Sequence, residues 1–155
     1  MRFRPFNAAD AHAVSQWTYG GRFALYSMRP EDAPDLLLAD YRYHAGLDDQ
    51  GIVGFYCAGP DAQVPGGRYL AGEPAVVDFG VGLQPARVGR GLGRPFTAAA
   101  LAHVAETLKP EVVRVTIADF NERSLAVFEG LGFVSAHRFR RDDGLRFTQL
   151  ERTPG

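Results

Sequence analysis

The chain has 155 residues, 46% of them apolar, and a formal net charge of −1 at neutral pH. Its length predicts a single domain over 1–155 with a substantial core, and its near-neutral charge argues against a nucleic-acid-binding surface spread over the molecule. Because no apolar run reaches the ~20 residues of a membrane span and no signal-peptide core is visible, we expect no membrane association and a cytoplasmic protein.

Hydrophobic periodicity and turn residues divide the chain into short elements. Asn7 or Asp10 can cap the first helix, and prolines and acids in the first turns favour a second. The Gly- and Pro-rich residues 59–74 are predicted to be a loop, because strand patterns lie on both sides. In chain order, the predicted elements are a strand at 1–6, helices at 8–17 and 29–40, strands at 41–47, 52–59 and 75–83, a helix from near 95 to 108, a strand at 112–118, a helix at 121–131, and strands at 133–140 and 145–151. This order predicts an α/β domain with a mixed sheet.

A glycine-rich stretch, ARVGRGLGRPF at 86–96, precedes the helix that begins near residue 95. Glycines 89, 91 and 93 leave backbone N–H groups uncovered, and the helix N-terminus adds unpaired donors and a positive dipole end. The stretch therefore predicts a cradle for an anion such as a pyrophosphate, with a tight turn before a helix as the alternative. It fits neither the P-loop nor the G-x-G-x-x-G dinucleotide pattern. The arginines that can add positive charge are Arg87, Arg90 and Arg94.

A second motif, NERSLAVFEGLGF at 121–133, resembles the N-x-x-[SA]-x-x-x-[YF]-x-x-x-G-F signature of the GNAT superfamily of N-acyltransferases. The residues by themselves predict a helix capped by Asn121 and ended by Gly132. The segment 81–93 is similar to the acyl-CoA pyrophosphate loop of the same superfamily, and both motifs occur in the family order. The residues in register with the signature are Asn121, Ser124, Phe128, Gly132 and Phe133.

The resemblance covers essentially the whole chain and implies the acyl-CoA N-acyltransferase fold. That fold has a mixed, mostly antiparallel sheet of about six to seven strands flanked by about four helices. The implied activity is N-acetyl transfer from acetyl-CoA to a primary amine by direct attack. The implied contacts are backbone N–H groups of Gly89, Arg90, Gly91, Leu92, Gly93 and Arg94 to the pyrophosphate, the strand end Val81, Gly82 and Leu83 to the pantetheine arm, and Asn121, Ser124 and Phe128 as further cofactor-binding positions.

The chain departs from the family pattern at two positions. Val88 stands where the family usually has Gln or Arg, so a cofactor contact is missing or comes from Arg87 or Arg90. Phe128 stands where many members carry a tyrosine that can protonate the leaving thiolate. Water or a tyrosine from elsewhere must then supply that proton.

Asp78 is the candidate general base. Strand alternation places it on one face with Gly80 and Gly82, so it is expected to face open space that a ligand can approach. A carboxylate there can take the proton that an alkylammonium acceptor must lose before attack. The alternative is a structural aspartate bonded to nearby backbone.

The acceptor is less well defined by the sequence. Residues 1–80 carry six arginines and ten acids, whereas 81–155 carry eleven basic and eight acidic residues. An acidic first half would attract a cationic primary amine, on a small molecule or a peptide N-terminus. The candidate acceptor-binding residues are Trp17, Tyr19 and Tyr26, with ordinary core packing as the alternative.

Other functions and partners are less well supported. A non-catalytic acyl-CoA-binding sensor on the same fold is the main alternative, and an unrelated nucleotide-binding protein is the third. The four histidines and Cys57 show no metal-ligand spacing, so no metal is expected. A homodimer is compatible with the sequence.

Overall fold

The computed structural model describes residues 1–69 and 76–153. A β-sheet forms the centre, and helices cover both of its faces. In chain order the elements are β1 (Arg2–Pro5), α1 (Ala8–Ser15), β2 (His44–Asp48), β3 (Gly51–Ala58), β4 (Val76–Leu83), α2 (Gly93–Leu108), β5 (Val112–Ala118), α3 (Glu122–Gly130), β6 (Val134–Arg140) and β7 (Arg146–Arg152), with short 3-10 helices at Gly21–Tyr26, Pro30–Asp32, Asp35–Leu37, Ala39–Tyr41, Pro60–Ala62 and Pro85–Arg87.

Seven strands form one sheet in the order β1-β2-β3-β4-β5-β7-β6. Neighbouring strands pair antiparallel except β4 and β5, which are parallel. A parallel pair needs a crossover connection, and α2 supplies it. The predicted class, a mixed and mostly antiparallel sheet of about seven strands flanked by helices, is confirmed. No helix in the described residues is both long and apolar enough to cross a membrane.

The helix predicted at 29–40 is wrong. Three one-turn 3-10 helices replace it, separated by breaks at Pro34 and at Leu38, whose ψ of 130° is extended. Ala33 and Pro34 keep helical dihedrals, but proline lacks the N–H needed for a continuing helix. The strand predicted from residue 41 begins only at His44, because Arg42 has a left-handed φ of 49°. Of the predicted loop 59–74 and strand 75–83, residues 70–75 lie outside the described part of the chain.

Two hydrophobic cores lie on opposite faces of the sheet. Tyr56 belongs to the core beneath α2 and α3, whereas its neighbour Cys57 belongs to the core beneath α1 and the 3-10 helices. Side chains of successive strand residues point to opposite faces, so β3 contributes to both cores. The capping prediction for α1 is confirmed, since Asn7 and Asp10 form a reciprocal capping box.

Candidate active site

The parallel pair β4 and β5 separates partway along the sheet. The strands pair from Val76 to Asp78 against Val112 to Arg114, and beyond these residues they have no pairing with each other. Both strands nevertheless continue, β4 to Leu83 and β5 to Ala118. The result is a V-shaped opening, which we call the β4–β5 cleft, with its vertex at the Asp78–Arg114 pair.

The backbone of β4 presents hydrogen-bonding groups to this cleft. The Asp78 carbonyl and the Gln84 N–H both form hydrogen bonds on the β3 side, at 2.8 and 2.9 Å. Because backbone groups alternate in direction along a strand, those of Phe79, Val81 and Leu83 point away from β3. Those of Val81 and Leu83 face the side that β5 has left, where an amide-containing ligand could pair with them.

The backbone of β5 faces the cleft from the other side. The Asp119 N–H donates to the Arg146 carbonyl at 2.9 Å, on the β7 side. By the same alternation, the backbone groups of Thr116 point into the cleft, whereas the Ala118 carbonyl accepts from the Asn121 N–H at 2.9 Å. An extended ligand between the strands would therefore meet backbone donors and acceptors on two sides.

Residues 19–27 lie across the open end of the β4–β5 cleft. The Tyr19 hydroxyl donates to the Leu83 carbonyl (2.5 Å), and the side-chain amide of Asn121 donates to the Tyr26 hydroxyl (3.2 Å). The Tyr19 N–H donates to the Ser27 hydroxyl (2.8 Å), so the two ends of this segment are joined by a hydrogen bond. Burial raises the pKa of Tyr19 to about 12, so its hydroxyl stays protonated at neutral pH. The two tyrosines thus bond to groups on either side of the cleft.

The glycine loop presents bare backbone before α2. Gly89 and Gly91 have φ values of 80° and 74°, in the left-handed region that glycine tolerates. A Cβ placed at Gly89, Gly91 or Gly93 would meet no other atom within 4 Å. The N-cap of α2, Leu92, forms no side-chain capping hydrogen bond, so the first-turn N–H groups have no side-chain cap. This open, donor-rich backbone fits a phosphate group.

The arginines of the loop have different roles. Arg87 forms two hydrogen bonds to Asp48 (2.6 and 3.3 Å) and one to the Gln84 side chain, which ties the loop to the β2–β3 hairpin. The hydrogen bond from Arg87 lowers the pKa of Asp48. Arg94 donates to the Gly130 carbonyl at 3.0 Å and so joins α2 to α3. Arg90 is exposed and forms no hydrogen bond or ion pair with the described residues, which leaves its guanidinium available to an anion.

The signature residues cap and pack α3. Asn121 is the N-cap, and its side-chain oxygen accepts from the Ser124 N–H at 3.2 Å. Phe128 is only 3% exposed and packs edge-on against Phe79 of β4 and against Phe133. Phe128 therefore supports β4 from beneath the cleft and offers no hydroxyl to it.

Asp78 does not face open space, and that expectation is wrong. Its carboxylate is 8% exposed and accepts two hydrogen bonds from Arg114 (2.6 and 3.0 Å) and one from Gln63 (2.9 Å). A Cβ at Gly80 would lie 3.0 Å from the Cys57 sulfur, and one at Gly82 would lie 2.5 Å from the Phe55 ring. These glycines accommodate side chains of the core beneath α1 and the 3-10 helices, which we call the second core, rather than a ligand. The carboxylate therefore lies at the vertex under a packed layer.

The comparisons with known proteins agree with this geometry. A family model described as an acetyltransferase (GNAT) domain matches residues 1–134, well over half of the chain. The chain belongs to the GNAT acetyltransferase family. The predicted resemblance is therefore confirmed.

The relatives of this GNAT domain include two mycothiol acetyltransferases. That of Nocardioides sp. is 42% identical over 134 residues, covering 83% of this chain and 43% of the relative. That of Nocardiopsis dassonvillei is 30% identical over 142 residues, covering 86% and 42%. The chain thus spans about two fifths of the length of these curated relatives. Among solved structures, one described as an acetyltransferase from Salmonella typhimurium with its cofactor acetyl-CoA matches this chain with a TM-score of 0.69 at 20% identity. The match covers 98% of this chain and 92% of that protein.

Of the predicted site residues of this GNAT domain, the structure brings Tyr19, Tyr26, Leu83 and Asn121 together at the β4–β5 cleft. Trp17 lies in the second core against Phe55, with ring centroids 6.0 Å apart. Sequence reasoning missed the vertex partner Arg114. A single arginine in the otherwise uncharged and mostly apolar strand VVRVTIA was the available signal, because a buried charge needs a partner.

Proposed function

We propose that this domain is an acetyl-CoA-dependent N-acetyltransferase that acts on a primary amine. The observation that carries the proposal is the separation of β4 from β5 beside a loop of bare backbone at the start of α2. The cleft offers backbone amide groups from two strands that have separated, and the loop offers phosphate-binding N–H groups. Together they match a ligand that has a pyrophosphate at one end and an amide-containing arm at the other.

This chain's residues would hold such a donor from the loop to the vertex. Backbone N–H groups of 89–94 and the free guanidinium of Arg90 would bind the pyrophosphate. The outward backbone groups of Val81 and Leu83 would pair with the pantetheine arm, and Asn121, the N-cap of α3, would contact it from the other side of the cleft. The Tyr19 hydroxyl occupies the Leu83 carbonyl, so an arm pairing there must displace it. When bound, acetyl-CoA supplies an activated acyl group as a thioester.

The acceptor nitrogen attacks the thioester carbonyl directly, with no acyl-enzyme. A C–N bond forms and the C–S bond breaks, one proton leaves the nitrogen and one is added to the departing thiolate. Holding both reactants in place supplies much of the acceleration, up to about 7–11 kcal/mol. The N–H groups of β4 that face the cleft would stabilise the charge on the carbonyl oxygen. Phe128 has no hydroxyl, so solvent supplies the thiolate proton.

Asp78 is our candidate for the group that removes the proton from the amine. Its carboxylate lies at the vertex and accepts three hydrogen bonds from Arg114 and Gln63. A carboxylate has about four acceptor positions, so one on Oδ1 remains for a water that relays the proton.

We further propose that the acceptor is a primary amine that is protonated, and therefore cationic, before it reacts. It is carried on a small molecule or at a peptide N-terminus. Tyr19 and Tyr26 lie at the mouth of the cleft, where the acceptor must enter, whereas Trp17 lies in the second core against Phe55. Acidic residues in the first half of the chain would attract such a cation. Among the described residues, four of these acids form ion pairs with arginines: Asp10 with Arg4, Glu31 with Arg29 at 3.7 Å, Asp48 with Arg87, and Asp78 with Arg114.

The test measures binding and turnover separately. We expect CoA and acetyl-CoA to raise the melting temperature, with ATP and NAD ineffective, and we expect thiol release from acetyl-CoA to depend on an added amine. If the domain binds CoA but acetylates no amine of a broad panel, the result would favour the alternative of a non-catalytic acyl-CoA-binding sensor. Preference for ATP or NAD over CoA would overturn the proposal. A preference for cationic over neutral acceptors should shrink as salt screens the acidic surface.

A further inference from the structure

A second cleft, which we call the outer cleft, opens at the carboxyl end of β5. Three segments that are distant in sequence form it: residues 19–27, the connection from β5 to α3, and the turn between β6 and β7. Because elements from both ends of the chain meet here, the cleft exists only in the folded domain. Its lining includes Arg22, Asp119, Phe120, Glu122, Leu145 and Arg146.

The outer cleft contains opposite charges that are not paired with each other. Arg22 and Arg146 are positive, and Asp119 and Glu122 are negative, yet none of them forms an ion pair within 4.0 Å in residues 1–69 and 76–153. A ligand could therefore bind these charges without first breaking a salt bridge. That arrangement suits a molecule with both a positive and a negative group.

Other groups orient two of these side chains. The Arg22 guanidinium lies over the Phe120 ring, 4.6 Å from its centroid. The Asp119 carboxylate accepts from the Thr148 hydroxyl at 2.6 Å. Each charge is thus positioned without being neutralised by an opposite charge, which reduces the ordering that a ligand would require.

The outer cleft adjoins the β4–β5 cleft. The Phe120 ring packs against Phe23 and Tyr26 at centroid distances of 5.5 and 6.4 Å. The next residue, Asn121, donates its side-chain amide to the Tyr26 hydroxyl. A molecule held in the outer cleft therefore lies beside the mouth through which an acceptor must reach the thioester.

We infer that the outer cleft binds the body of the acceptor and that this acceptor is an amino acid, carrying a carboxylate as well as an ammonium. The carboxylate faces Arg22 and Arg146, whose guanidinium groups can bind it in bidentate fashion. An ammonium faces Asp119 and Glu122. This inference rests on the proposed function, because it assigns the acceptor of the same reaction. A polyamine fits poorly, because it would bring further positive charge to two arginines without pairing them.

The experiment compares two matched sets of amines at fixed acetyl-CoA. One set is lysine, lysinamide and cadaverine, and the other is leucine, leucinamide and isopentylamine. Each set keeps an amine while it removes the carboxylate charge and then the carboxyl group itself. Lysine offers both an α- and a side-chain amine, whereas leucine offers only the α-amine, so the two sets cover both reacting positions. Binding in the presence of CoA is measured alongside kcat/KM, so the readout does not depend on turnover.

Two variants test the assigned contacts. In Arg22→Gln and Arg146→Gln we expect kcat/KM for the preferred amino acid to fall about tenfold or more, mainly through KM, because a charge-assisted hydrogen bond is lost. The decarboxylated amine should be unaffected or improved. Arg2→Gln is the control, because Arg2 is an exposed arginine on β1, at the opposite edge of the sheet from β6.

The outcomes separate this inference from the proposed function. It is supported if the amino acid exceeds its decarboxylated partner at least tenfold in one set and loses that advantage in both cleft variants. It is overturned if the decarboxylated amines are equal or better, if no member of either set binds or reacts, or if Arg2→Gln has the same effect. In each of those cases, CoA binding and acetylation of other amines still decide the proposed function independently.

Discussion

Replacing Asp78 by asparagine tests the vertex of the β4–β5 cleft. The change removes the negative charge from a buried pair, in which Asp78 is 8% and Arg114 4% exposed. Removing one partner of a buried ion pair typically costs about 3–5 kcal/mol. At about 2–4 °C per kcal/mol for a domain of this size, the melting temperature of Asp78→Asn should fall by about 6–20 °C.

The assay is thermal unfolding followed by circular dichroism, with turnover measured well below the melting temperature. If Asp78 is also the base, kcat of the folded variant falls by about 10²–10⁴ and the low-pH limb of the rate profile disappears, while CoA affinity changes little. The double change Asp78→Leu with Arg114→Met should recover much of the stability without recovering kcat, because it replaces the buried ion pair with apolar side chains.

Asp143→Asn provides the matched control. Asp143 also pairs with an arginine, Arg141, at 2.6 Å, but its side chain is 54% exposed. Solvent screens that pair, so its loss should leave the melting temperature nearly unchanged. An Asp78→Asn variant as stable as the Asp143→Asn variant would refute the vertex argument. A destabilised Asp78→Asn variant that retains the parental kcat would assign Asp78 a structural role only.

Three further predictions follow from individual contacts. Gly91→Val should abolish the thermal stabilisation by CoA. Gly144→Val, which also puts a side chain at positive φ in open space, should lower stability but preserve the stabilisation by CoA. If CoA still stabilises the Gly91→Val variant, the phosphate cradle is contradicted. Tyr19→Phe should tighten CoA binding, measured by calorimetry, about two- to tenfold. The pantetheine arm would then no longer compete with the Tyr19 hydroxyl for the Leu83 carbonyl, a hydrogen bond worth about 0.5–1.5 kcal/mol. Weaker binding would show that the hydroxyl assists the ligand. Burial lowers the pKa of His44 below its ordinary value of 6.5, so the unfolded chain binds the proton more readily and stability should fall as pH drops from about 6.5 toward the lowered pKa. His44→Gln should flatten that slope in unfolding measured from pH 5 to 8.

Local sequence determined many of the elements and motifs. The apolar run VVRVTIA forms β5 over the predicted residues, and Asn121 caps α3 as expected. The glycine loop before α2 also followed from sequence, because a positive φ at Gly89 and Gly91 and an exposed helix start depend on neighbouring residues. These features are set within a few residues of chain, so their signals are readable without the fold.

Only the tertiary structure decided what surrounds Asp78. Strand alternation correctly placed it on the face shared with Gly80 and Gly82, but Phe55 and Cys57 fill the space that those glycines leave. Arg114 lies 36 residues away in sequence and meets Asp78 because β4 and β5 pair in parallel up to this point. The sequence pattern indicates which face a side chain occupies, whereas the partner across that face depends on strand order and register. A buried charge must find such a partner to offset its lost hydration, so the role of Asp78 could be read only from the assembled sheet.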